Sequence, residues 1–585
     1  MSKSCKPEDI ALKSLFLGPQ SENAIWLKSS IDELFTRWFE WRQGRFVEDG
    51  RAISPQDQAS PEFKKSRKKM TSVLGELSAR FEEEVPKYSP RYIGHMFSEV
   101  ALPAMLGHVA ALLHNPNIIS GESARVGVVI EDEAISSLCE MIGYDVTHAA
   151  GHFTSGGTVA NFEAVIRARG RVATWMAAGA AAAELNKTKP DPCRDAVMGW
   201  QAFDDLSRDM SDRDQMWSER LDSWNFEKIG FLAFARRLEN EFSVVVGHPV
   251  MLVPSHKHYS WPKASKLFGF GDETMKLVHL DAAGRLDVNH LRQRLKQAFD
   301  HRHPVMMVVS LVGTTELGVV DPVDQVTAVS REFGAVWHHM DASYGGFLAA
   351  MNRGVGSKLS KNLVAAIDGF KSVSSVTIDP HQFGYVPYSA GVFLTADKRD
   401  YDLRAIEAPY IQYAETDRGP VTLEGSRPAT GAAATWMLAR TLGFTPTGLG
   451  RVIDRNFDAR NLLADELQKI KIPVRIVQTI ASNVLCFVLA REGESLSTVN
   501  ARTSMLYENL SRPDSKFVVS KTTITWQHYG ELCERFTGSW GAYADVREIV
   551  LIRICLMNPF FTSKEMSLSY PAAFAHEVEM VATSL

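Results

Sequence analysis

VMMVVSLVGTTELGVVDPVDQVTAVSREFGAVWHHMDAS, residues 305–343, is the stretch that decides the fold. An apolar run of strand character (305–311) precedes a helical pattern that ends at Gly334, and residues 335–343 form the next strand candidate. The runs SVTID (375–379) and AGVFLTA (390–396) come after them. Strands that alternate with helices predict an α/β fold whose mainly parallel sheet is covered by helices on both faces.

The pattern changes on either side of this region, and the changes predict three parts of the chain. Residues 1–115 read as a helical N-terminal segment, because apolar residues recur at three- and four-residue spacing in 23–43. Residues 116–440 form the large α/β domain, which an alanine-rich and then highly charged helical insertion interrupts at 172–245. Residues 441–585 form a small α+β domain.

The small domain is predicted from three of its segments. RNFDARNLLADELQKI (455–470) has a helical pattern, whereas VLCFVLA (484–490) and EIVLIRICL (548–556) have the apolar, β-branched character of strands.

The bulk composition excludes several classes of protein. The chain has 585 residues, 45% of them hydrophobic, and a formal net charge of −5, so neither nucleic-acid binding nor an acidic disordered tail is indicated. Six scattered cysteines without a CxxC pair predict reduced, packed thiols. No apolar run suits a signal sequence or approaches the roughly 20 residues of a membrane span, so we expect a cytoplasmic protein without membrane contact.

Ser155, Gly156, Gly157 and Thr158 lie where a loop turns into a helix, within GHFTSGGTVANFEAVIRARG (151–170). Glycine permits close approach to the backbone, and the first N–H groups of a helix point outward at the positive end of its dipole, which suits a phosphate. An ordinary capped helix that follows a glycine turn explains the same letters.

His258 follows the strand candidate PVMLVPS (249–255). It therefore lies at the carboxyl end of a strand, where open α/β sheets bind ligands. A lone histidine at such a position is more often structural.

The third candidate segment for a ligand site is WHHMDASYGG (337–346). Strand alternation places His339, Asp341 and Ser343 on one face, with His338 and Met340 on the other. A carboxylate at the end of a buried strand needs a partner, and a protonated ring nitrogen would serve. The alternative is an aspartate that caps the next helix, which the two glycines disfavour.

The fourth candidate is TIDPHQFGYVPYSAG (377–391), where Asp379 and His381 alternate at the end of a strand and precede a loop rich in Gly, Pro and Tyr. A plain junction between strand and loop accounts for these letters as well.

In this order the four segments, followed by TLEGSRPATGAAATWMLARTLG (422–443) and IRICLMNP (552–559), resemble the group II amino-acid decarboxylases dependent on pyridoxal 5′-phosphate (PLP). HQFGYVPYSAG and FVVSKTTITWQHYG (517–530) look most like the bacterial tyrosine decarboxylase branch. The resemblance extends from about residue 88 to about residue 565. It implies the PLP-dependent transferase fold of aspartate aminotransferase type (fold type I) and a homodimer with shared active sites, in which residues 1–115 form a dimer arm.

The resemblance also implies roles for individual residues. Asp341 matches the carboxylate that pairs with the pyridinium nitrogen, and His258 matches the imidazole stacked on the ring. Thr315 matches a threonine near the ring oxygen, and Ser343 falls where the family has a small residue beside the ring. The residues implied to hold the phosphate are Ser155, Gly156, Gly157, Thr158, His381 and, from the other subunit, Ser426.

Positions near the substrate are implied in the same way. Tyr388 and Ser520 match residues near the substrate of tyrosine decarboxylases, and His95 and Ser98 lie in an N-terminal segment that often closes the pocket. No metal ligand is implied. The expected reaction is decarboxylation of an L-amino acid, with an aromatic, tyrosine-like substrate favoured and glutamate left open. Lysis of a phosphorylated amino alcohol is the runner-up chemistry.

Gln382 departs from the pattern, because the family has at this position the lysine that forms a Schiff base with PLP. A carboxamide nitrogen is delocalised and not nucleophilic, so it can neither exchange the imine nor move protons. Lys371, Lys358 and Lys361 lie too far along the chain to substitute for it.

Three interpretations of Gln382 stay open. In the first, the parent enzyme is a PLP decarboxylase and Gln382 is an engineered substitution. In the second, Gln382 is natural, and the protein binds PLP or pyridoxamine phosphate non-covalently for altered chemistry or a regulatory role. In the third, the chain completes the site of a lysine-bearing paralogue. The residue that the native gene encodes at 382 separates these interpretations.

Overall fold

The computed structural model describes residues 7–584, apart from 404, 405, 407, 408, 410, 412, 415, 416, 480, 481 and 513. Cys5 lies outside the described residues, and the other five cysteines, which are free and buried, are Cys139, Cys193, Cys486, Cys533 and Cys555. Within the described ranges, no helix has both the length and the apolar character needed to cross a membrane.

Seven strands form the large sheet, in the order β1-β7-β6-β5-β4-β2-β3. Four neighbouring pairs run parallel and β7 runs antiparallel to both of its neighbours, so the predicted mainly parallel sheet is confirmed. The strands are β1 Ala150–Thr154, β2 Val250–Pro254, β3 Met275–Val278, β4 Val305–Leu311, β5 His338–Asp341, β6 Ser375–Ile378 and β7 Gly391–Thr395.

The antiparallel direction of β7 follows from the short connection before it. Residues 379–390 contain no helix, whereas a parallel return needs a crossover of a dozen or more residues, usually helical. The chain therefore turns back beside β6, and this turn contains the letters DPHQ.

Helices make up most of the remaining structure. The predicted helix at 321–334 is confirmed as Val323–Glu332, and Gly334 after it adopts φ +113°, a left-handed conformation that favours glycine. The helices are α1 Pro7–Lys13, α2 Ala24–Arg45, α3 Pro55–Ala59, α4 Pro61–Phe81, α5 Leu102–His114, α6 Gly127–Ile142, α7 Gly157–Asn186, α8 Pro192–Asp195, α9 Trp200–Arg213, α10 Trp217–Trp224, α11 Phe226–Ile229, α12 Phe231–Phe242, α13 Ser260–Leu267, α14 Val288–Asp300, α15 Val323–Glu332, α16 Lys361–Asp368, α17 Arg399–Asp402, α18 Thr430–Thr441, α19 Leu449–Leu467, α20 Leu496–Leu510, α21 Trp526–Gly538 and α22 Tyr570–Ser584.

Both faces of the large sheet are covered. In β7, Val392 and Leu394 belong to the apolar cluster that includes Leu138 of α6, whereas Phe393 belongs to the cluster that includes Ala164 of α7. This alternation is the one expected of a strand buried on both sides. Alanines let α7 lie deep in the molecule, because their small side chains permit close packing around the helix.

The C-terminal part forms a second sheet of four antiparallel strands, in the order β10-β11-β9-β8. The helix and both strands predicted for this part are confirmed. Side chains of α19, α20 and α22 form one apolar cluster with this sheet. The strands are β8 Val474–Ile476, β9 Val484–Leu489, β10 Ser520–Thr525 and β11 Glu548–Cys555.

The N-terminal helices differ from the rest of the molecule, because neither α2 nor α4 buries a side chain in the single chain. On α4 Phe63 is partly buried, whereas five apolar residues from position 70 onwards recur at helical spacing and are exposed. We call these residues the α4 stripe; they are Met70, Val73, Leu74, Leu77 and Phe81.

Candidate active site

A cavity of about 380 Å³ opens at the carboxyl ends of the parallel strands. The edge of the sheet contributes Leu311 of β4, Asp341 of β5 and Asp379 directly after β6, and the N-terminus of α7 faces them. This is where open α/β sheets bind ligands, and the volume suits a small organic molecule. The residues that line the cavity are Met96, Ser155, Gly156, Gly157, Thr158, Val159, His256, His258, Tyr259, Leu311, Gly313, Thr314, Thr315, Asp341, Ser343, Tyr344, Asp379, His381, Gln382 and Tyr388.

The loop before α7 has the geometry of an anion site. A Cβ atom on Gly157 would lie 2.4 Å from Ser343 Oγ and 2.9 Å from Asp379 Oδ2, so only glycine fits where the backbone meets the cavity. The helix that begins here has 30 residues, and its first N–H groups point outward at the positive end of its dipole. The Ser155 N–H already donates to a carboxylate, Glu424 Oε2, at 3.0 Å.

Asp341 is held in one orientation by donors from three elements. Asn161 Nδ2 and Trp261 Nε1 donate to its Oδ2 at 2.8 and 3.1 Å, and Ser343 Oγ donates to its Oδ1 at 2.8 Å. His339 Nε2 lies 3.2 Å from Asn161 Oδ1, which restrains the amide in turn. Asp341 is 6% exposed and borders the cavity, so it can face a cationic group of a ligand.

The predicted alternation along β5 is confirmed. His339 and Asp341 share Asn161 on the face that meets the cavity, and His338 points to the other face, where Ser310 and Thr327 contact its ring. Burial lowers the pKa of His339 to about 4, so this ring is neutral near neutral pH.

His258 reaches the cavity from the turn after β2. Its Nδ1 lies 3.0 Å from Ser260 Oγ, and Asn161 Nδ2 donates to that same Oγ at 3.0 Å. Asn161 therefore couples the position of the imidazole to that of Asp341. His256, two residues earlier, also lines the cavity and has Nε2 at 3.1 Å from Asp321 Oδ1.

The turn between β6 and β7 brings four polar side chains to the cavity. Gln382 Nε2 donates to Asp379 Oδ2 at 3.3 Å, while Gln382 Oε1 and Asp379 Oδ1 are buried and have no hydrogen-bond partner among the described residues. Burial lowers the pKa of His381 to about 4, and its Nδ1 lies 2.7 Å from the Ala390 carbonyl oxygen. The Tyr388 ring packs on His381 with 4.1 Å between centroids.

None of the residues lining the cavity is a lysine. Lys358 Nζ pairs with Asp458 at 2.7 Å, and Lys371 lies against Gly143 at the far side of the sheet. Lys257 stands between two histidines of the cavity wall, but its own side chain does not line the cavity, and burial lowers its pKa.

These features fit a phosphorylated pyridine ring. The loop at residues 155–158 brings the N-terminus of α7 to the cavity, and Asp341 offers a carboxylate to a protonated ring nitrogen. His258 supplies a flat ring, and Thr315 and Ser343 supply hydroxyl groups. Asp379 Oδ1 and Gln382 Oε1 have no hydrogen-bond partner among the described residues. Buried polar atoms normally have one, which a bound ligand would supply here.

Three residues predicted for this chain's own site do not line its cavity, and neither does Ser426, which the resemblance assigns to the site of the other subunit. Ser520 Oγ donates to the Gly94 carbonyl at 2.6 Å, and His95 lies on the other side of Arg553, with Nδ1 3.2 Å from its Nη2. Ser98 is partly buried, and Ser426 is an exposed residue that accepts from Asn117 Nδ2 at 3.0 Å.

Sequence reasoning missed several residues of the site. Asn161 follows Gly157 by one helical turn and so shares its face of α7, a spacing that could have identified it. No local pattern in the sequence could have identified Arg553 or Glu424. Arg553 contacts Thr315 and Glu424 contacts Ser155, and both contacts join residues that are far apart in the chain.

Comparison with known proteins agrees with this geometry. Residues 234–490 match the pyridoxal-dependent decarboxylase conserved domain, and residues 455–581 match the tyrosine decarboxylase C-terminal domain. The chain is 29% identical to the L-tyrosine decarboxylase of Levilactobacillus brevis, covering 95% of this chain and 94% of the relative. It is 26% identical to that of Enterococcus faecium, covering 98% of both chains.

Solved structures show the same fold. The apo form of mouse CSAD superposes with a TM-score of 0.64 at 17% identity, covering 95% of this chain and 100% of that one. Oryza sativa TDC with PLP and tryptamine superposes with a TM-score of 0.62 at 16% identity, covering 96% and 98%. The mainly parallel sheet with its helical layers is thus the fold type I architecture that the resemblance predicts.

The family performs decarboxylation of amino acids with PLP as its cofactor. Its two matched domains together extend from residue 234 to residue 581 and contain most of the residues that build the cavity. The chain contains the pyridoxal-dependent decarboxylase domain, followed by the tyrosine decarboxylase C-terminal domain.

Proposed function

We propose that this protein binds PLP in the cavity at the sheet edge and acts on an L-amino acid of aromatic, tyrosine-like character, releasing CO₂. The observation that carries the proposal is the combination of the Gly157 loop, the restrained Asp341 and His258 around one cavity. Gln382 at the tethering position is expected to impair turnover. Glutamate stays open as a substrate.

PLP supplies an electron sink for the electrons of the broken Cα–CO₂ bond. Asp341 would keep the ring nitrogen protonated, because a buried anion and a buried cation stabilise each other's charged forms. Asn161, Trp261 and Ser343 hold that carboxylate in place, so little reorganisation accompanies the reaction. The loop at Ser155–Thr158 would hold the phosphate.

Gln382 cannot replace a lysine as a nucleophile or as an acid–base group. Its amide is neither nucleophilic nor titratable, so the protein lacks the amine that takes up and returns protons. Loss of general acid–base help alone slows a reaction by roughly 10²–10⁴-fold.

The aromatic preference is supported by the relatives and by the cavity wall. Both relatives named above are L-tyrosine decarboxylases and match nearly the whole chain. Tyr388 lines the cavity, and the Phe97 ring contacts it edge-on at 6.4 Å. Aromatic rings pack favourably in such edge-to-face arrangements, which suits an aromatic side chain of a substrate.

The test uses Gln382→Lys with Gln382→Met as the matched control, since methionine has a similar length and no amine. The unchanged protein should retain PLP on dialysis, yet borohydride should fix none of it to the chain. Gln382→Lys should allow borohydride to fix the cofactor at 382 and should release CO₂ from L-tyrosine, which Gln382→Met should not.

Other outcomes would contradict the proposal. A reduced adduct at another lysine of the unchanged protein would show that 382 is not the tethering position. Failure of Gln382→Lys with every amino acid, while PLP still binds, would favour a second function, which is non-covalent binding of PLP or pyridoxamine phosphate for altered chemistry or regulation. The hydrogen bond from Gln382 to Asp379 favours this second function, because it integrates the amide into the cavity wall.

The proposal includes a homodimer with shared active sites in the cytoplasm. The exposed α4 stripe supports the dimer, because apolar residues at helical spacing without a partner in their own chain need one from another.

A further inference from the structure

A second cavity, of about 170 Å³, lies at the end of the large sheet opposite to the active site. Val250, the first residue of β2, lines it, whereas the active-site cavity opens at the carboxyl ends of the parallel strands. We call it the α14 cavity; its lining residues, which come from β2, β3, α14 and the turn after α14, are Val250, Lys276, Arg294, Gln297, Ala298, His301 and His303. Four of these seven residues are lysine, arginine or histidine, and none of the seven is acidic.

The guanidinium group of Arg294 is held at this cavity by acceptors from two elements. Its Nε donates to the Leu277 carbonyl oxygen of β3 at 3.2 Å, and its Nη1 donates to Gln297 Oε1 of α14 at 3.3 Å. Both acceptors are uncharged, so they orient the group without neutralising its charge. A guanidinium held in this way offers further N–H donors in a fixed geometry that suits the oxygens of an anion.

The ring of His303 is also fixed in place. Its Nδ1 donates to the His248 carbonyl oxygen at 2.9 Å, which leaves Nε2 as the other ring nitrogen. A Cβ atom on Gly247 would lie 2.4 Å from that Nδ1, so a side chain at residue 247 would displace the ring. In a protonated ring Nε2 is a second N–H donor.

The end of α14 explains only part of this positive charge. Cations are favoured at the C-terminus of a helix, and the backbone N–H groups of residues 301–303 donate to carbonyl oxygens of its last turn. Lys276 has no such explanation, because it comes from β3. Its Nζ lies 3.7 Å from Glu273 Oε2, and the Glu273 side chain is fully exposed. Such a pair is weak, so an anion in the cavity can compete for the ammonium group.

We propose that the α14 cavity binds a small tetrahedral dianion, namely a phosphate group, between Arg294 and Lys276. Two permanent cations match the charge of a dianion, and donors from β3, α14 and the following turn surround one space. That arrangement suits the oxygens of a tetrahedral group, and the volume leaves room for some water beside it. The proposal is independent of the proposed function, because no residue lines both cavities.

The experiment is a calorimetric titration of inorganic phosphate into the whole protein near neutral pH, with chloride keeping the ionic strength constant. It is run with and without saturating pyridoxamine 5′-phosphate, which would occupy the active-site loop. One phosphate per chain should bind in the presence of this ligand. Arg294→Gln and Lys276→Gln should each weaken that binding about tenfold, because each removes a charged hydrogen-bond donor.

The matched control is Lys296→Gln, which removes an equal charge from an exposed residue of α14 that does not line the cavity. Its affinity for phosphate should equal that of the unchanged protein. Glu273→Gln should act in the opposite direction and strengthen binding about twofold to fivefold, because it removes the carboxylate that competes for Lys276.

A further titration with glycerol phosphate identifies the source of the phosphate group. Affinity equal to that of inorganic phosphate would support a site for the phosphate of a larger ligand. Binding of inorganic phosphate alone would support a site for the free ion.

Other outcomes would overturn the proposal. These are an absence of phosphate binding at millimolar concentrations, equal affinity in the unchanged protein, Arg294→Gln and Lys276→Gln, or an equal loss in Lys296→Gln. If Arg294→Gln fails to fold, the opposite effects expected of Lys276→Gln and Glu273→Gln decide the matter. Failure of pyridoxamine phosphate to bind would count against the proposed function alone, since the titrations without it still compare the variants.

Discussion

At the scale of single residues, two aspartates of one cavity show how neighbours set chemistry. Asp341 accepts hydrogen bonds from Asn161, Trp261 and Ser343, contacts that suit an anion. Asp379 has a carboxylate neighbour and an unpartnered oxygen, and its pKa is raised. The two carboxyl groups therefore differ in their hydrogen-bond partners, although they line the same cavity.

The negative charge of Asp341 should strengthen the binding of the pyridine ring of the ligand. Asp341→Asn removes the anion and turns an N–H₂ group towards the Asn161 or Trp261 donors. A hydrogen bond to a charged group contributes roughly 1.5–3 kcal/mol, so the affinity for pyridoxamine phosphate should fall about tenfold to a hundredfold. Fluorescence titration of the ligand checks this expectation.

Ser343→Ala is the matched control, since it removes one donor and keeps the carboxylate; its loss of affinity should be clearly smaller. Equal affinity of Asp341→Asn and the unchanged protein would show that the ring nitrogen does not meet this side chain.

At the scale of elements, a buried ion pair fastens the segment after the large sheet to the strand before the α7 loop. Arg427 forms a two-pronged ion pair with Glu131 of α6, and it also donates to the Phe153 carbonyl of β1 at 2.9 Å. Both charged side chains are at most 3% exposed. Phe153 N donates to Glu131 Oε1 at 2.8 Å, so the pair fixes the strand that leads into the loop.

Breaking this pair should destabilise the protein strongly. Arg427→Met leaves Glu131 buried without its cation, and loss of one partner of a buried pair costs about 3–5 kcal/mol. Urea denaturation should show this decrease in the free energy of unfolding.

The control is Lys358→Met, which breaks a pair whose side chains are 66% and 41% exposed. Because water screens such pairs, this change should cost about 1 kcal/mol or less. Similar losses for the two variants would mean that the Arg427 pair contributes no more than a surface contact.

At the scale of the whole molecule, the apolar surface is unevenly distributed. Leu74 and Leu77 of the α4 stripe are 63% and 49% exposed, whereas the helices around the large sheet bury their apolar faces. An exposed contiguous apolar face indicates an interaction surface. The proposed dimer gives it a partner in a second copy of the chain.

Charges on this surface should separate the dimer. Leu74→Glu with Leu77→Glu places two carboxylates in the expected interface, where burial without partners is costly. Light scattering coupled to size exclusion should show a dimer for the unchanged protein and a monomer for the double variant. Ser72→Glu, on another face of α4, should remain a dimer. A double variant that stays dimeric would place the interface elsewhere.

Much of the architecture could be predicted from local sequence. The strands at 305–311, 375–379 and 390–396 and the helix ending before Gly334 agree with the structure within a few residues, because apolar periodicity and glycine act over short distances. The common face of His339 and Asp341 followed from alternation alone. SGGT and DPHQ also pointed to the cavity, because each adjoins the end of a strand or the start of a helix.

The amino-acid order by itself determined which segments become strands, which side of β5 carries Asp341, and that an amide stands at residue 382. Only the tertiary structure decided that Asn161 joins Asp341 across 180 positions, that Glu424 meets Ser155 across 269, and that Asp379 has a like charge nearby. The physical reason is range. Backbone propensity and periodicity act between near neighbours in the chain, whereas burial, hydrogen-bond partners and charge depend on residues that folding brings together.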